Sequence, residues 1–193
     1  MKNDLWSYSH ELAIKNFNKY LSNFINKSNL NFLQIGVYIG TSSEWLLKNI
    51  LTNNSSKLYD VDIWNEKNRQ WGGENEETVY DQNIKNYTNV IKNKMLSDDF
   101  FKTNNLFFDF IYIDGGTKED ETYKDIENSF NFLKNDGLII VDDYEYIEEH
   151  EKNIIKNRIT RQCDTDRFIL KNKEKIYSKI SNGQMILKKI NNA

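Results

Sequence analysis

The sequence predicts a single α/β domain built on a mostly parallel sheet, and three observations carry that expectation. Apolar runs at 31–35, 108–113 and 137–141 alternate with stretches of helical periodicity. Uninterrupted apolar strands are buried on both faces, which is the habit of parallel sheets held between helices. Second, successive strands end in a glycine turn or in acids, at Gly36, Asp62, Asp114 and the pair Asp142-Asp143. Third, the last two strands follow one another with only a turn near 181–183 between them, which calls for an antiparallel strand at the C-terminal sheet edge.

Taken in order, residues 4–27 read as an amphipathic helix, with Leu12, Phe17, Tyr20, Leu21, Phe24 and Ile25 at helical spacing. Residues 31–35 form a strand that stops at Gly36, and 42–51 a helix with Trp45, Leu46, Leu47, Ile50 and Leu51 on its buried side. A second strand spans 57–63. The polar stretch 65–76 carries Arg69, Trp71, Gly72 and Gly73; it suits a substrate lid and an ordinary surface loop equally. A helix at 79–93 and a short strand at 94–96 come next. Then follow a strand at 108–114, a helix at 118–133, a strand at 137–143 and a helix at 145–159. Strands at 167–170, reaching towards Tyr177, and at 184–190 close the chain. No repeat or linker divides it, so residues 1–193 are one domain, with 1–28 as an N-terminal helical extension.

Composition narrows the function. A formal net charge of −3 and a pI near 5.5 speak against a nucleic-acid footprint, which is usually basic. The lysines at 171, 173, 175 and 179 read as a solvated face. Cys163 is the single cysteine, so neither an intramolecular disulfide nor a cysteine zinc site can form. The first 20 residues lack a long apolar run, and no stretch approaches the ~20 apolar residues of a membrane span. A cytoplasmic protein that does not engage a membrane is expected.

Ligands of open α/β sheets bind at the carboxyl ends of the strands. Gly36 and Gly40 are separated by three residues, which differs from the G-x-G-x-x-G turn of dinucleotide binders. Glycine there lets backbone approach a ligand, and Thr41 and Ser42 open a helix whose N–H groups suit a carboxylate. A ligand-free tight turn explains the spacing equally well. Asp62 adds specificity: it lies 22 residues beyond Gly40, at the next strand end, where an acid can accept from both hydroxyls of a ribose.

These residues resemble class I methyltransferases that use S-adenosylmethionine (SAM), most closely methyltransferase family 24 with its macrocin-type sugar O-methyltransferases. The likeness runs over residues 31–146. Its segments are 32–42, which hold Gly36 and Gly40; 60–64, which hold Asp62 and Trp64; 108–115, ending in Asp114-Gly115; and 133–144, ending in Asp142-Asp143-Tyr144. The resemblance implies a Rossmann-like sandwich with a mostly parallel seven-stranded sheet and an antiparallel C-terminal edge strand. It implies that Gly36, Gly40, Thr41 and Ser42 surround the methionine end of SAM, with Gln34, Tyr38 and Asp114 also at the cofactor. Asp62 would hold the ribose, and Ile63, with Ser97 and Asp98, would lie by the adenine. Three departures stand out. Gln34 replaces an acid, 116–118 lack a histidine, and Asp136-Gly137 replaces Pro-Gly.

Asp114, Asp142 and Asp143 would repel one another without a cation, and hard oxygen ligands suit Mg²⁺, Ca²⁺ or Mn²⁺. The resemblance implies acids at matching positions in metal-dependent members, which makes the three both metal ligands and catalytic residues. Capping of the following helix by Asp142 and Asp143 is the alternative. No single general base emerges from His10, His150, Lys118 and Asp114. The leading expectation is a SAM-dependent O-methyltransferase that methylates a hydroxyl of a small molecule, a sugar or nucleotide-sugar by resemblance, with Mg²⁺ assisting. The alternatives are an inactive SAM-fold scaffold, a nicotinamide-dependent oxidoreductase and a nucleic-acid methyltransferase. The N-terminal helix and the edge strand are candidate homodimer surfaces.

Overall fold

The computed structural model describes residues 2–64, 75–116, 118–145 and 152–190, and for 2–10 and 152–160 it describes the backbone alone. Seven strands form one sheet in the order β3-β2-β1-β4-β5-β7-β6. They are β1 (Asn31–Ile35), β2 (Lys57–Asp62), β3 (Val90–Lys94), β4 (Phe108–Ile113), β5 (Leu133–Val141), β6 (Ile176–Ser181) and β7 (Gln184–Lys189). The first five are parallel. β7 runs antiparallel to both β5 and β6, so the hairpin forms the C-terminal edge with β6 outermost. Asn182 and Gly183 turn that hairpin at φ 49° and 77°. Two successive positive φ angles match the twist of a two-residue hairpin, and Asn-Gly adopts them at low cost.

Alternation along the strands divides the core in two. Leu33, Ile35, Ile111, Ile113, Ile139 and Val141 pack with Phe100, Phe101, Ile126, Phe130 and Phe168 on one face. Phe32, Phe110, Ile140 and Ile186 pack with Ala13, Phe17, Leu21, Leu46 and Ile50 on the other. The helices supplying these faces are α1 (Lys2–Tyr20), α2 (Thr41–Asn49), α4 (Ser97–Thr103), α5 (Glu121–Asn131) and α6 (Lys152–Asn172), with α3 (Glu76–Ile84) beside α2.

Register decides where the chemistry lies. Val61, Ile35, Ile113, Val141 and Met185 form one row across five strands. The next residues along the parallel strands are Asp62, Gly36, Asp114 and Asp142. Three backbone hydrogen bonds continue the ladder into that row: Gly36 N–H to the Val61 carbonyl, Asp114 to Ile35 and Asp142 to Ile113.

Several expected elements differ. The helix expected at 79–93 ends at Ile84, and Val90 and Ile91 belong to β3, paired with Leu58 and Tyr59. β-Branched residues favour a strand once a partner edge is present. α4 was not expected; it buries Phe100 and Phe101. Residues 167–170 are helical, in α6, instead of a strand. The buried residues Arg161, Asp164, Thr165 and Phe168 are spaced i, i+3, i+4, i+7. Three of them are polar, so apolar periodicity missed the helix. The first helix stops at Tyr20, a 3-10 turn covers Ser22–Phe24, and Ile25 is exposed.

Candidate functional site

The β1–α2 loop is held by hydrogen bonds at nearly every step. Both carboxylate oxygens of Asp62 accept from backbone: Oδ2 from the N–H groups of Val37 (2.8 Å) and Tyr38 (2.9 Å), Oδ1 from that of Trp64 (2.8 Å). The Trp64 indole N–H donates to the Tyr38 carbonyl, and the Asn83 amide to that of Ile39, both at 2.8 Å. Gly40 enters α2 at φ 77°, and a β-carbon there would lie 2.6 Å from the Tyr80 ring. Tyr80 is fully buried, packs its ring against Trp64 at 4.7 Å in a tilted arrangement and donates its hydroxyl to Asp60. Burial pushes the Asp60 carboxyl up to about 7.

Below the loop, Gln34 is buried, accepts from the Ser43 hydroxyl and donates to the Gly36 carbonyl. A cleft of about 410 Å³, including its mouth, opens between the loop and the ends of β4 and β5. Gln34, Tyr38, Thr41, Ser42, Asp114 and Asp142 all line it, together with Ala13 of α1. Gly36 and Gly40 belong to the same loop but are not part of the lining. Asp62 is not part of that lining; it is buried and braces the loop from behind. Ile63 (40% exposed) and Ser97 also stand outside it. Ser97 gives its hydroxyl to the buried Asp125 at 2.5 Å, and burial pushes that carboxyl up to about 7.

The acids Asp114, Asp142 and Asp143 do converge, but around a residue that sequence reasoning missed. The Arg161 guanidinium donates through Nη1 to Asp143 Oδ2 (3.3 Å), Asp114 Oδ1 (3.5 Å) and the Asp142 carbonyl (3.3 Å). Through Nη2 it donates to the carbonyls of Gly115 (3.1 Å) and Gly116 (3.3 Å). Burial opposes its charge, and Asp143, Asp114 and Asp142 outweigh that and raise its pKa. Asp142 takes hydrogen bonds from the Tyr112 hydroxyl (2.6 Å) and the Gln184 amide (2.7 Å). Burial, then repulsion from Asp143, raises its pKa. Asp114 is also raised, by burial and then by Asp142, although 37% of its side chain meets the open cleft, where solvent tempers the effect.

The metal expectation finds no support in this geometry, where the acids meet a protein cation. Arg161 engages one oxygen each of Asp114 and Asp143, and Tyr112 and Gln184 engage the two oxygens of Asp142. Among the described residues no group of three His, Cys, Asp or Glu side chains could hold a metal ion. The only sequence signal for Arg161 was its place in the polar stripe of α6. Lys118 is exposed and pairs with Glu121. His150 and the expected lid residues Arg69, Trp71, Gly72 and Gly73 lie outside the described residues, as does the side chain of His10. No helix among the described residues is long and apolar enough to cross a membrane.

Comparison with known proteins agrees with this geometry. A family described as a methyltransferase domain matches residues 33–144. No curated protein matches the chain in sequence. Among solved structures, a Clostridium thermocellum protein provisionally assigned as an rRNA methylase superposes with a TM-score of 0.70 at 12% identity, over 93% of this chain and 97% of its own. A Staphylococcus aureus protein provisionally assigned as a caffeoyl-CoA O-methyltransferase gives 0.67 at 19%, over 93% and 82%. An O-methyltransferase from Bacillus cereus in complex with SAH gives 0.58 at 16%, over 96% and 91%. At such identities the likeness is one of fold.

Proposed function

The chain belongs to this family of methyltransferase domains, and from that premise we propose that it is a SAM-dependent O-methyltransferase acting on a hydroxyl of a small molecule. One observation carries the reading: a braced glycine loop and the acid-bearing ends of β4 and β5 face each other across one cleft. The fold neighbour from Bacillus cereus holds SAH, which supports SAM as the methyl donor.

The first-turn N–H groups of α2, at Thr41 and Ser42, suit the carboxylate of the methionine end. Gln34 and Asp114 offer oxygen acceptors for its ammonium group. In the transfer, the acceptor oxygen forms a bond to the methyl carbon while the sulfur–methyl bond breaks, leaving neutral SAH. The acceptor's hydroxyl proton departs to a base, and Asp114 is the carboxylate most open to the cleft. Positioning two reactants in line supplies most of the acceleration in such a reaction. A sugar or nucleotide-sugar acceptor is proposed from the family resemblance. Mg²⁺ has no part in this reading, because Arg161 already fills the acid cluster.

Calorimetric titration with SAM and SAH is the direct test. Saturable heat and a rise in melting temperature are expected; neither effect at millimolar ligand would end the proposal. A screen of hydroxylated acceptors for SAH release would then define the substrate.

A further inference from the structure

The cluster at the ends of β4 and β5 contains three carboxylates, yet its geometry is already complete. Arg161 reaches two of them and three backbone carbonyls, with only 9% of its side chain exposed. The third, Asp142, has one oxygen engaged by Tyr112 and the other by Gln184. The arginine is held in place as well. It lies on a packed helix whose next inward residues are Asp164, Thr165 and Phe168. The Thr165 hydroxyl donates to the Arg161 carbonyl, and Asp164 accepts from the Tyr123 backbone on α5.

We propose that Arg161 is a built-in cation that takes the place of a divalent metal in this site, fixing the loops after β4 and β5 and making the protein independent of metal. The physical reason is exclusion. A guanidinium and a divalent ion repel, and the guanidinium already holds one oxygen each of Asp114 and Asp143. Arginine suits the role because it is always charged and presents several donors in a rigid fork. Those donors tie together loops 114–116 and 142–143, which border the cleft. Arg161 is thus a positioning residue. Only the expectation that activity survives EDTA rests on the methyl-transfer reading; the exclusion of a metal stands without it.

The test uses Mn²⁺ as the probe and needs neither SAM nor acceptor. Water-proton relaxation and melting temperature are followed as Mn²⁺ is added at millimolar concentration to wild type, Arg161→Met and Asp143→Asn. Wild type is expected to show no saturable Mn²⁺ site. Arg161→Met leaves the carboxylates without their cation, so it should melt lower and then regain several degrees with Mn²⁺. Saturable Mn²⁺ binding by wild type that Asp143→Asn abolishes would overturn the proposal, and so would a folded Arg161→Met that gains no site. Should Arg161→Met fail to fold, the wild-type and Asp143→Asn titrations decide alone. If SAM does bind, SAH release should be unchanged in excess EDTA, whereas failure of SAM binding would count against the methyl-transfer reading only.

Discussion

Gly36 rests directly on the peptide that joins Asp114 to Gly115. A β-carbon at Gly36 would sit 2.6 Å from the Asp114 carbonyl oxygen and 2.5 Å from the Gly115 nitrogen. Both contacts are with backbone, and Gly36 also has φ 79°. Gly36→Ala must therefore move the end of β4 as well as accept a left-handed backbone. We expect a loss of stability above the ~1–2 kcal/mol of the backbone strain alone, and at least a tenfold loss in SAM affinity by calorimetry. An alanine variant with native affinity would show that this contact does not shape the cleft.

Gly183 provides the contrast. It has φ 77°, and a β-carbon added there would meet nothing within 4 Å. Gly183→Ala should cost only the strain, about 1–2 kcal/mol, with SAM affinity unchanged. Denaturant unfolding and titration would check both halves of the statement.

Asp62 separates loop bracing from ligand contact. Its oxygens satisfy three backbone N–H groups of Val37, Tyr38 and Trp64. Leaving buried donors unsatisfied costs about 1–3 kcal/mol each. Asp62→Ala should thus lower the melting temperature of the ligand-free protein. An unchanged ligand-free melting temperature with weaker SAM binding would instead assign Asp62 to ligand contact alone.

Two buried acids set a pH dependence. Burial raises both Asp60 and Asp125 to about 7, from an ordinary value near 3.8. Between those values the folded state binds more protons than the unfolded state, so stability falls as pH rises. The contribution is fully present below about pH 4 and is lost as pH climbs through about 7. Asp60→Asn and Asp125→Asn should each flatten the decline measured by denaturant unfolding from pH 4 to 8; an unaltered slope in both would contradict it.

The sequence by itself determined the sheet and its functional edge. Strands buried on both faces are mostly apolar, so β1, β4 and the C-terminal end of β5 were legible, and so was the row that holds Gly36, Asp62, Asp114 and Asp142. The Asn182-Gly183 turn was equally plain, because few dipeptides adopt two positive φ angles. What only the tertiary structure decided is what those residues face. The Asp62 carboxylate turns to its own loop because three N–H groups there need an acceptor. The acids gather around a protein cation, because α6 delivers Arg161 from 18 residues beyond Asp143. Arg161, Asp164 and Thr165 form an inward face that is polar, and polar residues read from sequence as solvent-facing. The partners of Arg161 and Asp164 lie far away in sequence, in the loops after β4 and β5 and on α5, and no local pattern encodes that pairing.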